Sequence, residues 1–168
     1  MIDPADAKRR LQLYTNNREL TIVAPLGHGQ DGNVWQSDRN TAVKVLFRED
    51  SYFNELICYE RLAERNVTQV RGCTIPTVID FDDDLLALEI TIVEPPYILD
   101  FGKCKVDYRH DHSADAMAAL DEKIVDCWGE GDATIVRSII RVLAGYGIYY
   151  PDANPGNINL KNWQPPAW

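Results

Sequence analysis

Residues 27–47 read GHGQDGNVWQSDRNTAVKVLF, and their arrangement decides the fold. Gly27, Gly29, Gly32 and Val34 form a GxGxxGxV string lying between two predicted strands. Upstream, Glu19 to Pro25 alternates as a strand does; downstream, Asn33 to Ser37 is a second strand and Thr41 to Phe47 a third. The connection Ser37-Asp38-Arg39-Asn40 is short and polar, so the three strands make an antiparallel meander. Glycines at these spacings let a hairpin turn lie close over a ligand with its N–H groups directed at phosphate oxygens. The same string serves dinucleotide folds only where it runs from a strand into a helix. Here a strand follows, which argues against a nicotinamide site. A flexible hairpin with no ligand is the plainer alternative.

Lys44 sits in the apolar strand Ala42-Val43-Lys44-Val45. Burying an unpaired ammonium is costly, so Lys44 either snorkels to the surface or has an acidic partner. Val43 and Val45 project to the opposite face, leaving Lys44 on the side the glycine turn can cover. Ser51 to Arg65 changes to helical period, with Phe53, Leu56, Tyr59 and Leu62 in phase and Ser51 as the expected cap. That helix offers Glu55 as the candidate partner and Glu60 as its rival.

Ile75 to Phe81 and Leu85 to Val93 read as a strand pair joined by the turn Asp82-Asp83-Asp84, and the acidic run Asp80 to Asp84 is expected to be a solvated hairpin turn, with a Ca²⁺ site as the alternative. Glu94-Pro95-Pro96 then breaks the pattern. Ser113 to Trp128 and Asp132 to Ala144 are two predicted helices, the second ended by Gly145 and Gly147. Before the meander, Asp3-Pro4 caps a short helix over Ala5 to Tyr14. The expected class is α+β: a β-rich lobe, then a mainly helical one.

Composition limits the partners. The 168 residues carry 17 Lys and Arg against 26 Asp and Glu, a net charge of −9, which repels phosphate backbones and anionic lipid. No nucleic-acid or membrane partner is expected. No apolar run reaches the ~20 residues of a membrane helix, and residues 1–10 lack the apolar stretch of a signal peptide. Four widely spaced cysteines, without a CxxC, fit a reduced cytoplasmic chain. His110-Asp111-His112 has too few ligands for a good metal site. Tyr146, Tyr149 and Tyr150 read as packing residues.

Tyr150-Pro151-Asp152-Ala153-Asn154-Pro155-Gly156-Asn157 carries the most chemistry. It places a carboxylate and an amide five residues apart around Pro-Gly. Such a loop can aim Asp152 at a hydroxyl proton while Asn157 offers an amide oxygen to a hard cation. A capping turn rich in Asn and Asp is the alternative. Glycine turn, Ala-x-Lys strand, Glu-bearing helix, two strands, proline break, helices and D-x-x-x-x-N together resemble the protein-kinase-like superfamily over residues 20 to 160. The Asp-x-x-Pro-Gly-Asn loop is similar to that of aminoglycoside-phosphotransferase-like small kinases.

The resemblance implies a five-stranded antiparallel N-lobe with one helix over residues 19–95, preceded by a helical extension at 1–18 and followed by a reduced helical C-lobe at 96–168. It implies ATP and Mg²⁺ as cofactors. Gly27, Gly29, Gly32 and Val34 would cover the nucleotide. Lys44, braced by Glu55 at the family's E-x6-L spacing, would hold the α/β-phosphates, and Glu94 to Tyr97 would lie near the adenine. Asp152 would be the catalytic base and Asn157 a metal ligand, with a hydroxyl on a protein or small molecule as acceptor.

Two departures stand against this. The family's second metal ligand is the Asp of a D-F-G motif after the Asn. Only eleven residues follow Asn157, however, and none is acidic. The Arg of an H-R-D loop is also missing. A string Asp100-Phe101-Gly102 does occur upstream of the loop. It is either a chance tripeptide or a metal ligand folded back beside Asn157. The alternative expectation is an inactive pseudokinase that binds a partner protein, with Trp163 and Trp168 either closing the apolar surface or meeting that partner.

Overall fold

The computed structural model describes residues 4–108, 113–151 and 153–165. Helix α1 (Pro4–Arg18) leads into strands β1 (Ile22–His28), β2 (Gly32–Ser37) and β3 (Thr41–Leu46), then helix α2 (Glu49–Glu64). Two-residue strands β4 (Gln69–Val70) and β5 (Cys73–Thr74) precede β6 (Val78–Asp82) and β7 (Ala87–Thr91). Next come β8 (Tyr97–Ile98), β9 (Lys105–Val106), helix α3 (Ala114–Gly145), β10 (Ile148–Tyr149) and β11 (Ile158–Asn159). The class is α+β, as the sequence implies: an antiparallel five-stranded sheet in the order β1-β2-β3-β7-β6, then a helical region.

β3 is the central strand and is buried at all six positions. Its alternation splits the interior. Val43 and Val45 join Ala7, Leu11 and Tyr14 of α1 on one face. Ala42 and Leu46 join Tyr52, Leu56 and Leu62 of α2 on the other. This second core continues past the sheet to Ile139 and Leu143 of α3 and to Ile98 and Ile158. β1 runs through Pro25 to His28, three residues beyond the expected end. It is an edge strand, where the missing N–H of proline costs no ladder bond.

Two boundaries differ in an informative way. α2 begins at Glu49, and its cap position, Arg48, makes no side-chain cap bond; the expected cap Ser51 is a buried first-turn residue. Glu49 and Asp50 at the positive end of the helix supply the favourable charge instead. α3 consists of two helical stretches that meet at a kink at Gly129, whose φ of 73° and ψ of 166° are not helical, close to where the sequence separates the two expected helices. Ser113 caps it, accepting from the Ala116 N–H at 3.2 Å.

The sequence pattern does not reveal a second sheet, ordered β11-β8-β5-β4. Each of its strands has two residues, too few for an alternating pattern to show. Its β8–β11 pair joins Ile98 to Ile158 and Tyr97 to Asn159 in antiparallel register. Residues 60 positions apart are thereby neighbours. Trp163 packs against the larger core and donates its indole N–H to the Arg71 carbonyl at 2.7 Å, so it covers apolar surface of its own chain. Trp168 lies outside the described residues.

Candidate nucleotide site

A cavity of about 630 Å³ opens between the β1–β2 turn, β3, α2 and the β8–β11 junction. Gly27, Gly29, Gly32 and Val34 lie in its wall. The glycines have different reasons to be there. A Cβ on Gly32 would sit 2.6 Å from the Val45 carbonyl oxygen, so the sheet itself demands glycine. A Cβ on Gly27 would meet nothing within 4 Å, so its bareness leaves open space over the cavity. The turn is closed by the Gly29 N–H donating to the Gly32 carbonyl at 2.9 Å.

Lys44 does not snorkel. It is buried and donates to both carboxylate oxygens of Glu55, at 2.9 and 2.7 Å, and to Asp100 at 3.1 Å. Glu60, the rival partner, is exposed on the outer face of α2. Burial by itself would lower the Lys44 ammonium, but the Glu55 and Asp100 charges outweigh it and hold its pKa above the ordinary value. Burial pushes the Glu55 carboxyl up, and the nearby Asp100 charge adds to this against the pull of Lys44. The triad is therefore a compensated ion cluster at the floor of an open cavity, with Asp100 its most exposed member.

Asp100 reaches this place through the β8–β11 pairing. The Leu99 N–H donates to the Asn157 carbonyl at 2.7 Å, and both Asp100 and Asn157 line the cavity. The tripeptide Asp100-Phe101-Gly102 therefore starts on the wall of the same cavity as Asn157. Phe101 is fully buried and makes edge-on contacts with Tyr59 of α2, centroids 5.1 Å apart, and with Tyr150, at 5.6 Å. Tyr150 packs in the core as expected, and its hydroxyl also donates to the Leu99 carbonyl. Among the described residues, the Tyr59 hydroxyl is the buried side-chain polar atom without a hydrogen-bond partner, and Tyr59 lines the cavity.

The remaining expected residues fall as follows. Glu94 is exposed and outside the cavity lining; Thr91, Ile92, Val93 and Tyr97 provide that wall instead. Asp152 lies outside the described residues, as do His110, Asp111 and His112. The acidic run is not simply solvated. Asp80 and Asp82 pair with Arg18 of α1, and Asp83 accepts from the Tyr52 hydroxyl at 2.8 Å. The four cysteines are free, and burial pushes the Cys73 thiol up to about 11, which keeps it protonated and unreactive.

The residues at the cavity floor suit a hard cation. Asp100 and Asn157 both line the cavity, and an Asp carboxylate and an Asn amide oxygen are donor types that a hard cation accepts. No group of three or more His, Cys, Asp or Glu able to hold a metal gathers among the described residues.

No protein-family profile matches the chain, and no curated protein does. Among solved structures, the chain is similar to the aminoglycoside phosphotransferase APH(2'')-Ib with ADP bound, at 18% identity and a TM-score of 0.41. It is also similar to APH(2'')-IIa in a streptomycin–ATP ternary complex, at 16% identity and a TM-score of 0.40. Each comparison covers 67% of this chain and 35% of the other, so the chain spans about a third of the length of either structure. No helix among the described residues is long and apolar enough to cross a membrane.

Proposed function

We propose that the chain binds the magnesium complex of ATP in this cavity and transfers the terminal phosphoryl group to a hydroxyl on a protein or small molecule. The observation that carries this reading is the convergence of Asp100 and Asn157 beside the Lys44–Glu55 pair. A lysine locked by a glutamate presents a fixed positive charge to phosphate oxygens, under a turn whose Gly27 leaves room for them. Asp100 and Asn157 would hold Mg²⁺, which neutralises phosphate charge when bound. The acceptor oxygen bonds to the terminal phosphorus as the bond to the ADP oxygen breaks, and the hydroxyl proton passes to Asp152 as base.

The pseudokinase alternative rested on the lack of an acidic residue after Asn157. The presence of the Asp100 carboxylate on the wall of the same cavity as Asn157 favours the phosphotransferase reading over it. Calorimetric titration with ATP, with Mg²⁺ and with a chelator, tests the reading on the parent chain, Lys44→Ala and Asp100→Asn. Mg²⁺-dependent binding should be lost in the first variant and should lose its Mg²⁺ dependence in the second. ATP binding absent from the parent chain would sink the nucleotide reading. Full Mg²⁺ dependence in Asp100→Asn would remove Asp100 from the metal. Asp152→Asn should bind ATP and fail to turn it over.

A further inference from the structure

Tyr59 lines the cavity, yet its hydroxyl is buried and, among the described residues, is the side-chain oxygen left without a hydrogen-bond partner. A buried phenol O–H that bonds to nothing carries its full desolvation cost. The ring is held where it is. Tyr59 is 3% exposed, lies one helical turn after Glu55 on α2, and meets the Phe101 ring edge-on with centroids 5.1 Å apart. Burial, then the charges of Glu55 and Asp100, push its pKa well above the ordinary value, so the hydroxyl keeps its proton and can donate.

Three acids stand in the same wall as possible acceptors: Asp31, Glu55 and Asp100. Asp31 is paired with Lys103, whose Nζ lies 3.5 Å from Oδ2. Glu55 holds two of the three Lys44 contacts, at 2.9 and 2.7 Å, and its side chain is 1% exposed. Asp100 holds the third and longest, at 3.1 Å, and its side chain is 32% exposed. An ammonium has three N–H donors, and these three contacts engage them all. A phosphate oxygen therefore reaches Lys44 by replacing one contact, and the Asp100 contact is the longest and the most open to the cavity. Asp100 then loses its donor just when its carboxylate is to face a cation. Its backbone is held on both sides, by the Leu99 N–H donating to the Asn157 carbonyl at 2.7 Å and by the fully buried Phe101, so the side chain alone changes partner.

Resting on the nucleotide reading above, we propose that Tyr59 is a positioning residue: its hydroxyl donates to the Asp100 carboxylate once phosphate draws Lys44 away, and so orients that carboxylate toward Mg²⁺. The hydroxyl gains a partner as Asp100 loses one. A donor that orients a metal-ligating carboxylate acts on the cation-dependent part of binding alone. A hydroxyl that merely propped the core would act on stability, and on nucleotide affinity with and without the cation alike.

Calorimetric titrations of ATP, with Mg²⁺ and with a chelator, on the parent chain, Tyr59→Phe, Asp100→Asn and the double variant separate the two cases, with urea denaturation of each chain alongside. Tyr59→Phe keeps the ring against Phe101 and removes a hydroxyl with no partner to forfeit, so its denaturation midpoint should stay level or rise. Its affinity for ATP with Mg²⁺ should fall about tenfold, the worth of one hydrogen bond to a charged group, and its affinity in chelator should stay within about twofold. The double variant should bind ATP with Mg²⁺ no more weakly than Asp100→Asn alone, because Tyr59 acts through Asp100. A lowered midpoint or an unchanged affinity in Tyr59→Phe, an equal loss with and without Mg²⁺, or losses that multiply in the double variant overturns the assignment while leaving the nucleotide site standing. Full Mg²⁺ dependence in Asp100→Asn removes both residues from the cation. A parent chain that binds no ATP overturns this assignment and the nucleotide reading together.

Discussion

The two faces of the central sheet each bury a glutamate, and the surroundings of the two differ in kind. On the α1 face, Glu89 accepts from the hydroxyls of Thr41, at 2.6 Å, and Tyr14, at 3.3 Å, with Ser37 bonded to Thr41 behind them. Burial, followed by the Asp80 charge, pushes the Tyr14 hydroxyl up, so it stays protonated and able to donate. That cluster is made of neutral donors and closes on itself. On the α2 face, Glu55 is matched by a full charge, Lys44, and the cluster opens through Asp100 onto the cavity. A closed network fixes how α1 sits on the sheet; an open one keeps charge available to a ligand.

The largest expected effect comes from breaking what holds the open cluster in register. Phe101→Ala removes the ring that Tyr59 and Tyr150 both contact and should cost about 3–5 kcal/mol of stability, measured by urea denaturation. If the ring also aligns Asp100, any residual folded protein should bind ATP without Mg²⁺ dependence. A loss below about 1 kcal/mol would show that the core closes over the gap and that the contact is dispensable.

Next come the glutamates themselves. Lys44→Met strands the Glu55 charge and should cost about 3–5 kcal/mol, most of it recovered in Lys44→Met/Glu55→Leu, where neither charge remains. Glu89→Gln keeps its two hydroxyl neighbours and should cost only about 1–3 kcal/mol, with ATP affinity unchanged. Denaturation of the four chains gives both numbers. An ATP affinity that falls in Glu89→Gln as far as in Lys44→Met would erase the distinction between the faces.

The glycine turn and the strands and helix that follow it were legible in sequence because their signals are local; the Glu89 network of the closed face was not. Gly27 to Val34, the strand through Thr41 to Leu46 and the helical period through Glu55 are each local signals, so the meander and the helix could be read from spacing, while the choice of Glu55 over Glu60 came from the resemblance. Asp100 was not legible. Its position depends on Tyr97-Ile98 pairing with Ile158-Asn159, two-residue strands 60 positions apart that no periodicity marks. The D-F-G string was visible, but chain order placed it on the wrong side of Asn157, and only the fold brings it across. Asp31 was visible inside the glycine string, yet its pairing with Lys103 depends on that same return of the chain. Glu94 erred the other way: its position in the sequence put it near the site, while its side chain points to solvent.

The smallest effect lies at the edge of the closed face, and its sign is definite. Arg18 bonds to Asp80, and this holds the Asp80 carboxyl below its ordinary value of 3.8. Its folded pKa is depressed relative to the unfolded chain, so the stabilisation is present above about pH 4 and fades as pH falls through the lower folded value. The Asp80 side chain is 45% exposed, so water and salt screen the pair and its worth is about 0–1 kcal/mol. Asp80→Asn should therefore lower stability slightly at neutral pH and leave it nearly equal to the parent well below pH 3.8, in thermal melts across that range. The Lys44–Glu55 pair is shielded from solvent, and its contribution should resist added salt that erases the Asp80 difference. Equal salt sensitivity at the two sites would mean that the α2 face is no more sheltered than the surface, and the contrast between a closed and an open buried cluster would have to be abandoned.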